Sequence, residues 1–444
     1  TMTFPRDLGP HYFSTQNHRS DYHGAGTMWG DTFYMPLSNQ QIEIGWSEDH
    51  VFPGLFVAAK EKQTGLLMAQ STQKRLFAIF RFRGTRPDKE WFLEIDELAT
   101  GSPFMELEPG HSLYGEEIFF QIVDTNDAQL ATDTYYEQLR QNGSYERRSL
   151  NPLPDQRIYC SWNFDFFADI TEADLVAQLP IIKRHFPTVN FVQLDDGYQH
   201  EHAEKQRAMI DLCYGLDEPF RRDKFPSGPR GLADRIKAEG LRPAIWLGLW
   251  VSQGSPMLTD HPEWFLWDEC GQPLIFDRTY SGVAVLDPSV PDVMKYLDKT
   301  CATVFGEWGF EGVKLDFSSF AFNYKRACYR NPQKTQVECR HELEATFRRH
   351  LPSDGFFGWC VVAGTGHPFL SNADYFRNAV DIGHGNWELA KRIANMTANT
   401  LGLYQEWCAV PNIDSIGWTE EFDEDMWESF LTLCAVSGMA VEVS

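Results

Sequence analysis

Hydrophobic and polar positions change their rhythm near residue 150. Before that point the chain shows short strand-like runs, Gln41–Gly45, Gly54–Ala59, Arg75–Phe82, Glu90–Asp96 and Ile118–Val123, separated by turn residues. Regularly spaced short strands without helical periodicity predict a β-sandwich over residues 1–150. Asn142-Gly-Ser and Asn151-Pro-Leu-Pro154 mark the boundary. From Arg157 onward, strands alternate with amphipathic helices. Strands are expected at Arg157–Ser161, Asn190–Leu194, Arg242–Leu249, Gly309–Phe320, Phe356–Val362, Asp374–Val380 and Met439–Val443. Helices are expected between them. Thr171-Glu-Ala-Asp174 reads as a capping box before the stripe Leu175, Leu179, Ile182 and Phe186. Ser289-Val-Pro-Asp292 reads as the cap of a helix with Val293, Leu297, Cys301 and Val304 on one face. Further helices are expected at Gly231–Glu239, Val337–His350, Trp387–Asn399 and Asp423–Ser437. Repeated strand–helix units over residues 155–444 predict an α/β domain, a (β/α)8 TIM barrel of about eight parallel strands. On this count the barrel lacks its last helix.

One strand breaks the apolar pattern in a regular way. In Gly312-Val-Lys-Leu-Asp316, Lys314 and Asp316 share one face while Val313 and Leu315 share the other. Alone, such a pair reads more readily as a structural ion pair than as a ligand site. Elsewhere, however, Asp195 and Asp196 close a strand, Trp246 and Trp250 flank the end of the next, and Arg377-Asn-Ala-Val-Asp381 closes a later one. A TIM barrel carries its functional side chains at the C-terminal ends of its strands. Carboxylates at three such ends face one mouth.

Composition narrows the chemistry. The 444 residues are 43% hydrophobic and 23% charged, as in a soluble globular protein, and the net charge of −24 argues against nucleic-acid and anionic-membrane partners. No run of 18 or more apolar residues is present, and Thr1–Pro10 lacks the features of a signal peptide. Nine cysteines without a CxxC spacing support neither a disulfide framework nor a metal cluster. A reducing, cytoplasmic location is expected, with several cysteines acting as small buried hydrophobes. His200-Glu-His202 lacks a third ligand at suitable spacing, and Gly24-Ala-Gly26 and Gly364-Thr-Gly366 lack the dinucleotide fingerprint. Neither metal nor cofactor is expected. Paired carboxylates in an aromatic-rich chain with 14 Trp point to glycoside hydrolysis, with an oligosaccharide or glycoside as the partner. Homo-oligomerisation is left open.

Four stretches in order resemble the α-galactosidases of glycoside hydrolase family 36, the melibiase-like group. They are Phe191-Val-Gln-Leu-Asp195-Asp196-Gly-Tyr198; Gly240-Leu-Arg-Pro-Ala-Ile-Trp246 with His261-Pro-Glu-Trp264; Leu286-Asp287-Pro-Ser with Val313-Lys314-Leu-Asp316; and Arg377-Asn-Ala-Val-Asp381. The resemblance implies a retaining mechanism in which Asp316 is the nucleophile and Asp381 the acid/base. It also implies that Asp195, Asp196, Trp246, Lys314, Thr365 and Gly366 contact the sugar, with Lys314 holding Asp316 ionised and Arg377 orienting the acid/base region. Leu107-Glu-Pro-Gly110 resembles the family's N-terminal sandwich more loosely, and the family's C-terminal β-domain has no counterpart here. Three departures touch sugar recognition. Thr365 stands where the family often has Cys, Tyr198 where Trp is usual, and Ser281 near the place of an arginine, with Arg278 offset. An α-N-acetylgalactosaminidase or galactosyl transferase on the same chemistry, or a non-catalytic carbohydrate-binding barrel, are the alternatives.

Overall fold

Eight parallel strands close into a barrel in this computed structural model: β1 (Arg157–Cys160), β2 (Phe191–Leu194), β3 (Arg242–Gly248), β4 (Gly312–Asp316), β5 (Phe356–Trp359), β6 (Tyr375–Arg377), β7 (Val410–Ile416) and β8 (Ala440–Val443). Strand β8 pairs with both β7 and β1, which closes the ring. The described residues are 156–444, apart from 163–165, 203–206, 269, 277–281, 317–327, 361–372, 378–385, 389, 392, 395–409, 418–419 and 438–439; before residue 156 they are chiefly the strands and residues 108–124. The Gln41–Gly45 strand, Asn142-Gly-Ser, Leu107, Gly24-Ala-Gly26, Arg278, Ser281, Gly364, Thr365, Gly366 and Asp381 lie outside them.

Side-chain parity sorts the barrel into inside and outside. Tyr159, Val192, Leu194, Ile245, Leu247, Val313, Leu315, Phe357, Trp359 and Val443 point outward into the main hydrophobic core. The helices cover them: α1 (Glu172–His185), α2 (Gly228–Ala238), α3 (Pro291–Cys301) and α4 (Gln336–His350) bury Leu175, Leu179, Leu232, Ile236, Val293, Leu297, Leu343 and Phe347 in that same core. A fifth helix, α5 (Glu424–Ser437), packs Phe430 and Cys434 on Phe422 and on Ala390 and Ile393 of a helical stretch before β7. Inside, Ile158, Phe191, Ala244 and Phe356 form a separate apolar plug at the bottom. Phe191 and Phe356 meet edge to face at 4.7 Å, an arrangement favoured by the aromatic quadrupole. Above this plug, the inward faces of β2, β3 and β4 continue with Gln193, Asp195, Trp246, Lys314 and Asp316.

Local signals mostly act as expected. Thr171 accepts from the Asp174 N–H, and the Asp174 carboxylate accepts from the Thr171 N–H, so the predicted box forms. Phe186, placed on the same stripe, is instead the exposed C-cap. Ser289 does not cap α3. The N-cap is Val290 with Pro291 next to it, which suits a proline whose missing N–H would be unsatisfied there anyway. Ser289 Oγ accepts the Asn331 N–H at 3.1 Å instead. Strand β7 was not foreseen. It carries Pro411, Asn412, Asp414 and Ser415 and lacks an apolar run.

N-terminal to the barrel, two antiparallel four-stranded sheets are present. One orders Met2–Phe4, Trp91–Leu98, Phe77–Gly84 and His50–Phe52; the other orders Ile118–Asp124, Thr64–Gln70, Gly54–Ala59 and Pro10–Phe13. The strand expected to open at Arg75 begins at Phe77, because Glu116 Oε1 takes the N–H groups of Arg75 (2.6 Å) and Leu76 (2.8 Å) out of the ladder. Arg75 then reaches the barrel, with its Nε 2.6 Å from Glu338 Oε1. Glu338 Oε2 accepts the Thr335 N–H at 2.9 Å, so one carboxylate caps α4 and anchors the N-terminal part. Among the described residues, no helix is long and apolar enough to cross a membrane.

Candidate active site

The upper half of the barrel interior is polar. Gln193 and Asp195 continue the inward face of β2 above Phe191; Trp246 follows Ala244 on β3, and Lys314 and Asp316 follow Gly312 on β4. Period-2 alternation gives each strand an apolar foot and a polar head. This is why two charges can sit in a strand whose five residues are all buried.

Asp195 and Lys314 meet at 2.9 Å, with both side chains at most 5% exposed. The other donors to Asp195 Oδ2 are Gln193 Nε2 at 2.9 Å and Cys160 Sγ at 3.3 Å, while Oδ1 accepts the Asp196 N–H at 3.0 Å. Burial alone would push the Lys314 ammonium down. The Asp195 carboxylate, helped by Glu442, outweighs it and holds the ammonium well above its ordinary range. Burial, followed by Asp195 and Glu442, pushes the Cys160 thiol well up, so Cys160 is a neutral S–H donor. Lys314, expected beside Asp316, is thus hydrogen-bonded to Asp195. Asp316 accepts from Trp246 Nε1 at 3.0 Å. The indole hydrogen bond fixes one carboxylate oxygen and leaves the end of β4 carrying an acid at the mouth. Trp246 is itself held from behind, because its carbonyl accepts the Tyr198 hydroxyl at 2.9 Å.

Asp196 is drawn aside by Arg207, whose Nη1 lies 2.9 Å from Asp196 Oδ1. Gly197 follows with φ +117°, and a Cβ there would lie 2.5 Å from the Ala168 carbonyl oxygen. Only glycine permits this turn. Across the barrel, Arg377 is 2.7 Å from Asp414 Oδ1 and donates from Nε to Asn412 Oδ1 at 3.2 Å. Asp414 has φ +85°, a region where Asp is enriched among non-glycine residues. It sits where the β7–β8 register shifts between Asn412 and Ser415. The bulge turns the Asp414 carboxylate toward Arg377. The structure brings Lys314 and Asp195 together with Cys160 and Gln193, Asp316 against Trp246, and Arg377 against Asn412 and Asp414; of these, Cys160, Gln193, Asn412 and Asp414, like Glu442 behind them, were not singled out from the sequence. Parity was the available signal for Gln193, which stands two residues before Asp195.

His202 belongs elsewhere. Its Nε2 lies 2.8 Å from Asp211 Oδ2, which also takes the Ser255 hydroxyl, and the ring is buried in the loop after β2. Among the described residues, no group of three or more His, Cys, Asp or Glu could hold a metal ion.

Comparison with known proteins bears on the fold that holds this arrangement. The Melibiase family model matches residues 155–346, the stretch that carries Asp195, Trp246, Lys314 and Asp316. The structure is similar to the α-galactosidase TtGalA from Thermus thermophilus in complex with p-nitrophenyl α-D-galactopyranoside, at 17% identity and a TM-score of 0.62, over 99% of this chain and 83% of that one. It is similar to a variant of the family 36 α-galactosidase AgaA from Geobacillus stearothermophilus in complex with stachyose, at 14% identity and a TM-score of 0.65, over 100% of this chain and 59% of that one. An α-galactosidase from Lactobacillus brevis aligns at 14% identity and a TM-score of 0.62, over 100% of this chain and 57% of that one. The chain thus spans a little over half the length of the latter two. Residues 155–346 are thus similar to the Melibiase family, and the chain shares a TIM-barrel-like fold with these α-galactosidases.

Proposed function

We propose that this protein is a retaining α-galactosidase that releases terminal α-linked galactose through a covalent glycosyl-enzyme. One observation carries the reading: a buried carboxylate, Asp316, is aimed at the mouth by the Trp246 indole and sits on the same strand face as Lys314, within the melibiase match. In the first step, an Asp316 oxygen forms a bond to the anomeric carbon as the glycosidic C–O bond breaks, and Asp381 gives its proton to the departing oxygen. In the second, Asp381 takes a proton from water, the water oxygen bonds to the anomeric carbon, and Asp316 leaves as carboxylate. Retention requires the two carboxyls to be about 5 to 5.5 Å apart. The role of Asp381, and those of Thr365 and Gly366 in holding the sugar, rest on the family resemblance. Asp195, its charge held by Lys314, is suited to accept hydrogen bonds from sugar hydroxyls. Arg377 orients the Asp381 segment, four residues further on. The two N-terminal sheets are read as a β-sandwich domain over residues 1–150 that supports the catalytic domain of residues 155–444.

The test is a panel of aryl α-glycosides (galactoside, N-acetylgalactosaminide, glucoside) offered to the wild type and to Asp316→Asn, with the first-formed anomer followed by proton NMR. Galactoside turnover giving the α-anomer, abolished by Asp316→Asn, is expected. A β-anomer would remove the covalent intermediate. Preference for the N-acetylgalactosaminide would change the sugar, and a fully active Asp316→Asn would remove the nucleophile.

A further inference from the structure

Behind the Asp195–Lys314 pair lies a buried acid that the proposed reaction does not use. Glu442 on β8 is 1% exposed, and both of its oxygens accept from side-chain amides: Oε1 from Gln193 Nε2 at 3.4 Å and Oε2 from Asn412 Nδ2 at 3.0 Å. Each amide also serves the mouth. Gln193 Nε2 donates to Asp195 at 2.9 Å, and Asn412 Oδ1 accepts from Arg377 Nε at 3.2 Å and from the Asp414 N–H at 3.0 Å. A carboxylate only accepts, so it dictates which way each amide faces. With its Nδ2 committed to Glu442, Asn412 must turn its oxygen toward Arg377. With its Nε2 directed at two acids and at the Cys160 sulfur (3.3 Å), Gln193 leaves its own Oε1 buried without a hydrogen-bond partner among the described residues. An unsatisfied buried carbonyl is costly. The arrangement is therefore enforced by the acids and not by the amide's own preference.

We infer that Glu442 is a positioning residue: clamped between the Gln193 and Asn412 amides, it locks the Asp195–Lys314 pair on one wall of the barrel and Arg377 on the other into one arrangement, and so sets how the sugar is held. This rests on the proposed glycosidase reading. The required chemistry is specific to a carboxylate. A glutamine at 442 has nearly the same shape but offers one oxygen and one NH2 group, so either Gln193 or Asn412 must lose its bond or flip. If Asn412 flips, its NH2 faces Arg377. If the Gln193 contact is lost, Asp195 is held by Lys314 and Cys160 with a freer amide beside them.

The experiment compares steady-state kinetics on an aryl α-galactoside, inhibition by free galactose and thermal unfolding for the wild type, Glu442→Gln, Asn412→Ser and the double variant. In Glu442→Gln, KM and the galactose inhibition constant are expected to rise on the order of tenfold, while kcat falls less than about threefold. Asn412→Ser should act in the same direction, and the double variant should lose less than the product of the two single losses. Kinetic constants of Glu442→Gln within twofold of the wild type overturn the inference, as does a fall in kcat at constant KM. If Glu442→Gln does not fold, Asn412→Ser carries the same criterion. If neither folds, Glu442 is structural and the positioning role is lost. A wild type inactive on every glycoside removes the glycosidase reading itself, an outcome distinguishable because it appears before any substitution is made.

Discussion

Lys314 and Asp195 meet at 2.9 Å across β3, joining two barrel strands that are not hydrogen-bonded neighbours. The ion pair is almost wholly buried, so its members depend on one another far more than a surface pair would. Replacing Lys314 by Met keeps the length of the side chain but leaves the Asp195 carboxylate, among the described residues, with the Gln193 and Cys160 donors at Oδ2. A destabilisation of about 3 to 5 kcal/mol is expected, the range for breaking one side of a buried pair. Asp195→Asn in the same background should recover part of it. Urea unfolding of the two single variants and the double variant measures the coupling, and strict additivity would show that the pair is not interacting.

Below the charged tier, the barrel has no room to spare. A Cβ on Gly312 would lie 2.5 Å from the Phe356 ring, which Phe191 holds edge-on at 4.7 Å. The ring has nowhere to turn, so the added methyl group acts as overpacking. Gly312→Ala is expected to cost about 1 to 3 kcal/mol, and Gly312→Ala with Phe356→Leu should recover part of that loss. A fall in the thermal midpoint of the single variant checks the first expectation, and the paired variant checks its cause.

These two tiers also explain what was legible in the chain. Parity alone placed Lys314 and Asp316 on the face opposite Val313 and Leu315, and the structure buries Val313 and Leu315 in the core under the helices. Capping chemistry placed the start of α1 at Thr171. The losses come from the barrel interior. Apolar runs reveal a strand when both faces are buried among hydrocarbon, but β7 presents Asn412 and Asp414 to a polar cavity and carries Pro411. Glu442 was hidden for the same reason. A charge between Val441 and Val443 reads as a solvent-facing position, whereas here it closes the inner ring with Gln193 and Asn412. The Asp414 backbone, at φ +85° in a register shift, has no sequence signature beyond the tolerance of Asp for that region.

The cysteines separate by exposure and ionisation. Cys270 is exposed, whereas Cys160, Cys301, Cys339, Cys360 and Cys434 are buried, and the partly buried Cys213 and the buried Cys434 are each pushed up to about 12 by burial. Thiolate is the reactive form, so burial protects twice. Limited alkylation at pH 8 followed by peptide mass mapping should modify Cys270 ahead of these six. Modification of Cys160 in the folded protein at a comparable rate would mean that the Asp195 cluster is open to solvent.

At the bottom of the barrel, Glu311 ties β3 to α2. Its Oε1 lies 2.9 Å from Lys237 and its Oε2 lies 2.6 Å from Arg242, whose guanidinium also covers the Phe191 ring at 4.5 Å. Burial alone would raise the Glu311 carboxyl, but the hydrogen bonds and charges of Lys237 and Arg242 outweigh it and hold it below its ordinary 4.5. A carboxyl that is depressed in the folded state binds fewer protons there than in the unfolded chain. Its contribution is therefore fully present above the unfolded value and is lost as the pH falls through the folded one. The wild type should exceed Glu311→Gln in urea midpoint by a constant margin above about pH 5.5, where the unfolded carboxyl is also ionised. That margin should shrink steadily on acidification below pH 4.5 as the Glu311 carboxylate is neutralised, Lys237 losing its partner and Arg242 keeping Asp354. Urea titrations at half-unit pH intervals read the difference directly. A gap that stays level or widens toward low pH would show that Glu311 contributes through packing and not through its charge.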